Sequence, residues 1–386
     1  VRICVNALPI HPGGGLTVIR GLLGPLSRAA PDWTFTVVAS HRPTLAALRQ
    51  DGCAEIIPLL EGLPAGAQLA WQNLRFGEWL RRRRADVCLT VNHHLANLRC
   101  PQVVYHLNLL RFPQQARRGW APRQITERVR DHLAWRALVH AEANVFESRF
   151  LADRARSIHE PVNAHVIHVG LESQLLADAR ALAIARNPGA GPRRSESPPT
   201  AARLVAITNA REHKDNPTLI RTLAQLVHLR PAVDWRLDVA GGVRPEMWQP
   251  LRQLAADLGV ADRITWHGFC DQAVLSELLR SALCLISTSR VESFCMVALE
   301  SMARGCPAVV ANAAAMPESV GQAALLATPG DPGAFATAVL ALADDEALRG
   351  RLIAAGFEWI DRFHWERAAA EFIDVFREAR GQLPPS

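Results

Sequence analysis

The chain has 386 residues, more than one hydrophobic core ordinarily organises, so two domains of ordinary size are expected. Apolar residues make up 49% and charged residues 21%, which excludes global disorder, and no stretch reaches the about 18 apolar residues of a spanning helix. A net charge of +6 favours anionic partners (nucleotides, lipid headgroups or nucleic acid) without choosing among them.

Short β-branched runs at 1–8, 33–40, 55–60, 86–92, 102–110, 144–147 and 165–170 alternate with longer amphipathic runs, a pattern of parallel strands joined by helices. Residues 186–202, rich in Pro, Gly and Ser, have nothing to bury and read as a linker. The alternation restarts with strands at 203–209, 235–240, 263–266, 284–287, 308–311 and 323–327. A last amphipathic helix, 365–381, places Ala368, Phe372, Val375 and Phe376 on one side. The expectation is an α/β chain of two units with parallel sheets facing across a cleft: 1–185, then 203–364. Eight cysteines without C-x-x-C spacing read as buried free thiols rather than a zinc site. The first apolar run, broken by Arg2 and Asn6, has no signal-peptide pattern, so a reducing cytoplasm is the expected setting.

Ligands of open parallel sheets bind beyond the carboxyl ends of strands. The loop after the first strand carries Gly13, Gly14 and Gly15 ahead of a helix, either a phosphate-side loop or a simple tight turn. After the first strand of the second unit come Arg211 and Lys214, with Pro217 at a helix start; they could neutralise a diphosphate leaving group or flank a solvated turn. The strand at 284–287 leads into Glu292-Ser-Phe-Cys-Met-Val-Ala-Leu-Glu300, with a helix expected from Phe294 to Gly305. Eight residues of helical rise would set the two carboxylates roughly 12 Å apart. That exceeds the about 5–9.5 Å of a glycoside hydrolase pair. The N–H groups of Phe294, Cys295 and Met296 would then face an anion.

The run Glu292–Glu300, followed by Gly305-Cys-Pro-Ala-Val-Val-Ala311 and Pro317-Glu318, resembles the signature of the retaining nucleotide-sugar glycosyltransferases of family four. That resemblance implies the glycosyltransferase-B fold of two Rossmann-like domains, with a C-terminal helix that crosses back to the N-terminal domain, and it runs nearly the full chain. It implies that Glu292 contacts the donor sugar, Glu300 the ribose hydroxyls, and Arg211 and Lys214 the departing diphosphate. His267-Gly-Phe269 resembles the turn near the base, and Pro12-Gly-Gly-Gly15 the N-terminal glycine loop. The family's first-domain histidine is matched by His106, with His93 and His94 as competitors, although a lone strand histidine is more often a core group. Asn108, Ala313-Ala-Ala315 and the run 166–172 depart from the family pattern, which leaves the donor sugar open.

The function so implied is metal-independent transfer of a sugar from a nucleotide diphosphate donor to a saccharide or lipid-linked acceptor in envelope polysaccharide or glycolipid assembly. No cofactor or metal is expected, since the sequence has no Asp-x-Asp and two cations can replace a divalent ion. Trp79 and Arg81 to Arg84 lie on an amphipathic basic helix that could rest on anionic lipid or simply face solvent. Arg117, Arg118 and Trp120 could extend that face. A nucleotide-sugar epimerase or phosphorylase on the same fold is the alternative enzyme. A nucleic-acid-binding protein is disfavoured, because one Tyr and no interleaving of aromatics with basic residues make no recognisable motif.

Overall fold

A computed structural model describes residues 1–11, 13–109, 112, 122–185, 201–242 and 245–381. It divides into two compact units, Val1–Glu172 with Phe363–Ser386, and Ser173–Arg362.

The first unit carries seven parallel strands: β1 (Arg2–Asn6), β2 (Thr34–Ala39), β3 (Glu55–Pro58), β4 (Val87–Val91), β5 (Gln102–His106), β6 (Ala143–Phe146) and β7 (Ala164–Val166). Their order is β3-β2-β1-β4-β5-β6-β7. Every residue of β4 and β5 is buried, as a parallel sheet covered on both faces requires. The connections run through α1 (Gly14–Ala29), α2 (Arg42–Gln50), α3 (Ala65–Leu74), α4 (Phe76–Arg83), α5 (Pro122–His140) and α6 (Arg149–Arg156).

The second unit opens with α7 (Ser173–Ala185) and carries β8 (Ala201–Ile207), β9 (Asp234–Ala240), β10 (Ile264–Gly268), β11 (Cys284–Ser287), β12 (Ala308–Ala311) and β13 (Leu325–Ala327). The order β10-β9-β8-β11-β12-β13, again all parallel, is the Rossmann order. Its helices are α8 (Asn216–Leu229), α9 (Gln249–Asp257), α10 (Gln272–Ser281), α11 (Met296–Ala303), α12 (Met316–Val320), α13 (Pro332–Asp344) and α14 (Glu346–Ile360).

The boundary between the units differs from the expected one. Helix α7 packs on α11 and α14, so the chain enters the second unit at Ser173 and not after residue 185. The linker expected at 186–202 lies outside the described residues, apart from Ala201 and Ala202, which begin β8. The return occurs at Phe363, whose carbonyl accepts the Leu171 N–H at 2.8 Å.

The last helix, α15 (Trp365–Ala379), returns to the first unit and packs on α1 and β5. Ala368, Phe372, Val375 and Phe376 form its buried side as expected, joined by Trp365, Ala369 and Ile373. A Cβ at Gly21 or Gly170 would collide with Trp365, so both glycines are needed for the close approach. All eight cysteines are free; Cys4, Cys88, Cys284, Cys295 and Cys306 are buried, while Cys53, Cys100 and Cys270 are partly exposed.

Candidate functional site

In the second unit the strand order reverses between β8 and β11, where such sheets open a crevice for ligands. Beyond β8, Thr208 Oγ1 donates to Asn216 Oδ1 (3.0 Å), Asn216 Nδ2 donates to Asn209 O (2.7 Å), and Arg211 N–H donates to Asn209 Oδ1 (3.1 Å). These bonds fix a turn that ends in a short 3-10 segment, Glu212–Lys214, and in left-handed Asp215 (φ 47). Helix α8 follows with Pro217 in its first turn. Gly241, just past β9, has φ 149, and a Cβ there would strike the Thr208 carbonyl; glycine alone lets the two strand exits lie together.

The loop leaving β11 is stitched to that turn. Thr288 Oγ1 lies 3.1 Å and 3.0 Å from the carbonyl oxygens of Lys214 and Asp215. Arg290 donates its N–H to His213 O and its Nε to Asp215 Oδ2, both at 2.8 Å. The chemically important contact is Lys214 Nζ donating to Glu292 Oε1 at 2.6 Å, between side chains that are 18% and 16% exposed. An ammonium has three donors, and this contact uses one of them. The exposed Arg211 guanidinium makes no ion pair among the described residues. Burial, and after it the Lys214 charge, holds the His213 imidazole below its usual value.

Helix α11 begins at Met296, two residues later than expected, and ends at Ala303, with Arg304 as its cap and left-handed Gly305 (φ 68) directly after it. Glu292 therefore precedes the helix in irregular chain, and the 12 Å estimate, which assumed helical rise throughout, does not apply. Of the three N–H groups assigned to an anion, that of Cys295 is already donated to Ser319 Oγ at 3.1 Å. Phe294 and Cys295 are 7% and 1% exposed. Burial, then the Glu292 charge, pushes the Cys295 thiol up to about 12, so it is not a nucleophile. Glu300 is half-buried on α11. Ala314 takes φ 51, a backbone that favours glycine by about 1–2 kcal/mol, and next to it Ala315 donates its N–H to the Glu292 carbonyl at 3.2 Å.

At the end of β10, His267 Nε2 lies 2.7 Å from Asp238 Oδ1, and the buried Asp238 also accepts from Arg203 at 2.7 Å. The charge on Asp238 is thus matched and the His267 ring oriented. Phe269 is 85% exposed and rests against Gly242, a bare aromatic face at a strand end.

In the first unit the order reverses between β1 and β4. Gly13 (φ 136) caps α1, and a Cβ at Gly13, Gly14 or Gly15 would meet nothing within 4 Å, so the helix start is open. Beside it His11 and His41, which sequence reasoning did not single out, stand edge to face at 4.9 Å. Burial and the neighbouring His41 and Arg130 keep His11 below its usual value. The loop after β4 carries His93, buried, and His94, partly exposed.

His106 is not where a sugar-binding role needs it. Its ring is fully buried, stacked on Phe146 at 4.7 Å, with Nε2 2.9 Å from Asn144 Oδ1. The strand β5 is enclosed on both faces, so its last side chain points into the core rather than out of the sheet's end. Burial pushes its pKa from 6.5 to about 4. The folded state therefore resists protonation: this contribution is complete above about pH 6.5 and is lost as pH falls towards 4, about 3 kcal/mol in all. In His106→Gln the loss of unfolding free energy between pH 7.5 and 4.5 should be smaller than in wild type by about 2–3 kcal/mol, measured by denaturant melts. An unchanged pH slope would count against a buried neutral His106.

The basic helix is less available than its sequence implied. In α4, Arg81 and Arg82 both pair with Glu78 (2.7 Å and 3.1 Å), while Arg83 pairs with Glu55 and lies over the Trp79 ring. Trp79 in turn stacks on Phe76 at 5.6 Å and packs on the core. Arg84 is the left-handed cap. Arg117, Arg118 and Trp120 lie outside the described residues. Among the described residues no helix is long and apolar enough to cross a membrane, and no group of three or more His, Cys, Asp or Glu could hold a metal ion.

Residues 192–359, which hold the Lys214–Glu292 site, match the family model of the group 1 glycosyl transferases. A D-inositol 3-phosphate glycosyltransferase of Streptomyces bingchenggensis is 32% identical over 232 residues, 57% of this chain and 49% of that protein. Another, from Acidothermus cellulolyticus, is 35% identical over 167 residues, 42% of this chain and 37% of that protein. The chain thus spans about half or less of the length of these curated relatives. Sucrose-phosphate synthase from Thermosynechococcus elongatus superposes with a TM-score of 0.73 at 19% identity, covering 99% of this chain and 100% of the other. Anabaena Alr3699/HepE, solved with UDP and glucose, does so at 0.72 and 17%, covering 97% and 98%. The second unit thus matches the group 1 glycosyl transferases over residues 192–359, and the chain as a whole has the glycosyltransferase-B fold.

Proposed function

We propose that this protein transfers a hexosyl group from a nucleoside diphosphate sugar to a hydroxyl acceptor with retention and without a metal ion. The observation that carries the proposal is the contact of Lys214 with Glu292 across the β8/β11 crevice, near Arg211, which makes no ion pair among the described residues. Arg211 and Lys214 take the diphosphate, and Glu292 takes the donor sugar. Glu300 takes the ribose, and exposed Phe269 and the start of α11 flank the base and phosphates. The bond from the anomeric carbon to the β-phosphate oxygen breaks and the acceptor oxygen bonds to that carbon from the same face. The acceptor proton passes to the departing phosphate, whose charge the two cations stabilise. The first unit, with the His11–His41 pair, is the acceptor side. Relatives named for inositol 3-phosphate support a polyol or saccharide acceptor, and envelope glycolipid or polysaccharide is the setting proposed on the cytoplasmic face. Peripheral contact with anionic lipid would rest on Arg84 and on rearrangement of the Arg81–Arg83 pairs.

A thermal-shift screen of nucleoside diphosphates and their sugars tests the donor. A true donor at about 100 times its dissociation constant adds about 2.7 kcal/mol of stability. With that donor and an accepted sugar, turnover should stay within about twofold when EDTA is added, because cations of the protein itself neutralise the leaving group. No shift with any nucleotide would reject the donor class; loss of turnover with EDTA, restored by a divalent cation, would reject metal independence.

A further inference from the structure

Glu292 lies in irregular chain between β11 and α11, so its place is set by whatever grips that segment at both ends. At one end the Glu292 carbonyl accepts the Ala315 N–H at 3.2 Å. At the other, Cys295 N–H is donated to Ser319 Oγ at 3.1 Å. Ser319 Oγ donates in turn to Ala315 O at 2.9 Å. One hydroxyl thus ties the exit of the loop to the same residue that holds its entry.

Ser319 is itself completely buried on α12, and its carbonyl accepts Trp359 Nε1 from α14 at 2.7 Å. An apolar side chain would fill that buried space as well, but it would leave the Cys295 N–H without an acceptor, and a buried backbone donor seeks one. The segment would then rotate to recover a partner, carrying the Glu292 carboxylate away from Lys214. The hydroxyl at 319 therefore has a purpose that packing alone does not supply.

We infer that Ser319 is a positioning residue for Glu292: through Cys295 and Ala315 it fixes where the 292–295 loop presents its carboxylate beside Lys214. This rests on the proposed transfer reaction. Ser319 touches no ligand, so its effect falls on the geometry of the reacting sugar and not on the grip on the nucleotide. Small misplacement of a positioned group costs about ten- to a hundredfold in turnover.

The test compares wild type, Ser319→Ala, Glu292→Gln and the double variant for kcat and donor KM, together with deuterium exchange of a peptide spanning 288–296. Ser319→Ala should lower kcat about tenfold or more with donor KM within about twofold, and should add nothing to Glu292→Gln, because it acts through that carboxylate. Exchange in 288–296 should quicken while the strands of the second unit stay protected. Losses that multiply in the double variant, or unchanged exchange in 288–296, would overturn the inference. If the wild type turns over no nucleotide sugar, the proposed activity falls instead. Exchange alone then decides the Ser319 clamp, faster exchange supporting it and unchanged exchange rejecting it.

Discussion

Lys214→Met should lower kcat/KM for the donor sugar about 10²- to 10³-fold and weaken binding of the nucleoside diphosphate alone, with the fold retained. Methionine keeps an unbranched apolar stem at this partly buried position, so what is removed is the charge that meets the departing diphosphate; deleting one such preorganised donor costs about 3–4 kcal/mol of transition-state stabilisation. Glu292→Gln provides the contrast. Its amide oxygen still accepts from Lys214 Nζ, now 2.6 Å from Glu292 Oε1, but the negative charge that competes with a phosphate is gone. Nucleoside diphosphate should then bind as tightly as in wild type or more tightly, while turnover of the sugar donor falls. Calorimetric titration of the diphosphate, set beside initial rates, separates the two. Equal loss of diphosphate affinity in both variants would refute the division of labour between cation and carboxylate.

The strands were legible because a parallel sheet covered on both faces is built from continuous β-branched runs: all of β4 and β5 is buried, and each expected run overlaps an observed strand. That same double burial hid the direction of His106, since no alternation along β5 tells one face from the other. Helix α7 was recognisable as amphipathic chain, but its choice of unit depends on α11 and α14, more than a hundred residues away. The late start of α11 has a similar cause. Glu292 to Cys295 has local features that favour a helix start, yet Cys295 is only the N-cap of α11, its N–H donated to Ser319 from a distant segment. Lys214 and Glu292 each stand in the sequence as charges after strands. Their contact across 78 positions needed the β8–β11 adjacency, which follows from the strand order and not from spacing. The pairing of Arg81 and Arg82 with Glu78 is the opposite case, local enough to be read from i,i+3 and i,i+4 positions alone.

Trp365→Ala should produce the largest loss of stability. The indole is 3% exposed at the start of α15, seated on Gly21 of α1 and on Gly170, and a cavity of that size costs about 3–5 kcal/mol. For a unit of this size the melting transition should fall by about 6–20 °C. The loss belongs to the first unit, which α15 completes, whereas Arg211, Lys214 and Glu292 all lie in the second. Calorimetry should therefore show one transition lowered, and the stabilisation of the other by nucleoside diphosphate should persist. A coupled test identifies the contact itself. Gly21→Ala places a methyl group where the indole lies and should be strongly destabilising in wild type, yet nearly neutral or mildly stabilising in Trp365→Ala, because alanine suits the helical backbone of α1 once the ring is gone. Additive losses in the double variant would mean that Trp365 does not seat on Gly21, and the return of the chain to the first unit would need another anchor.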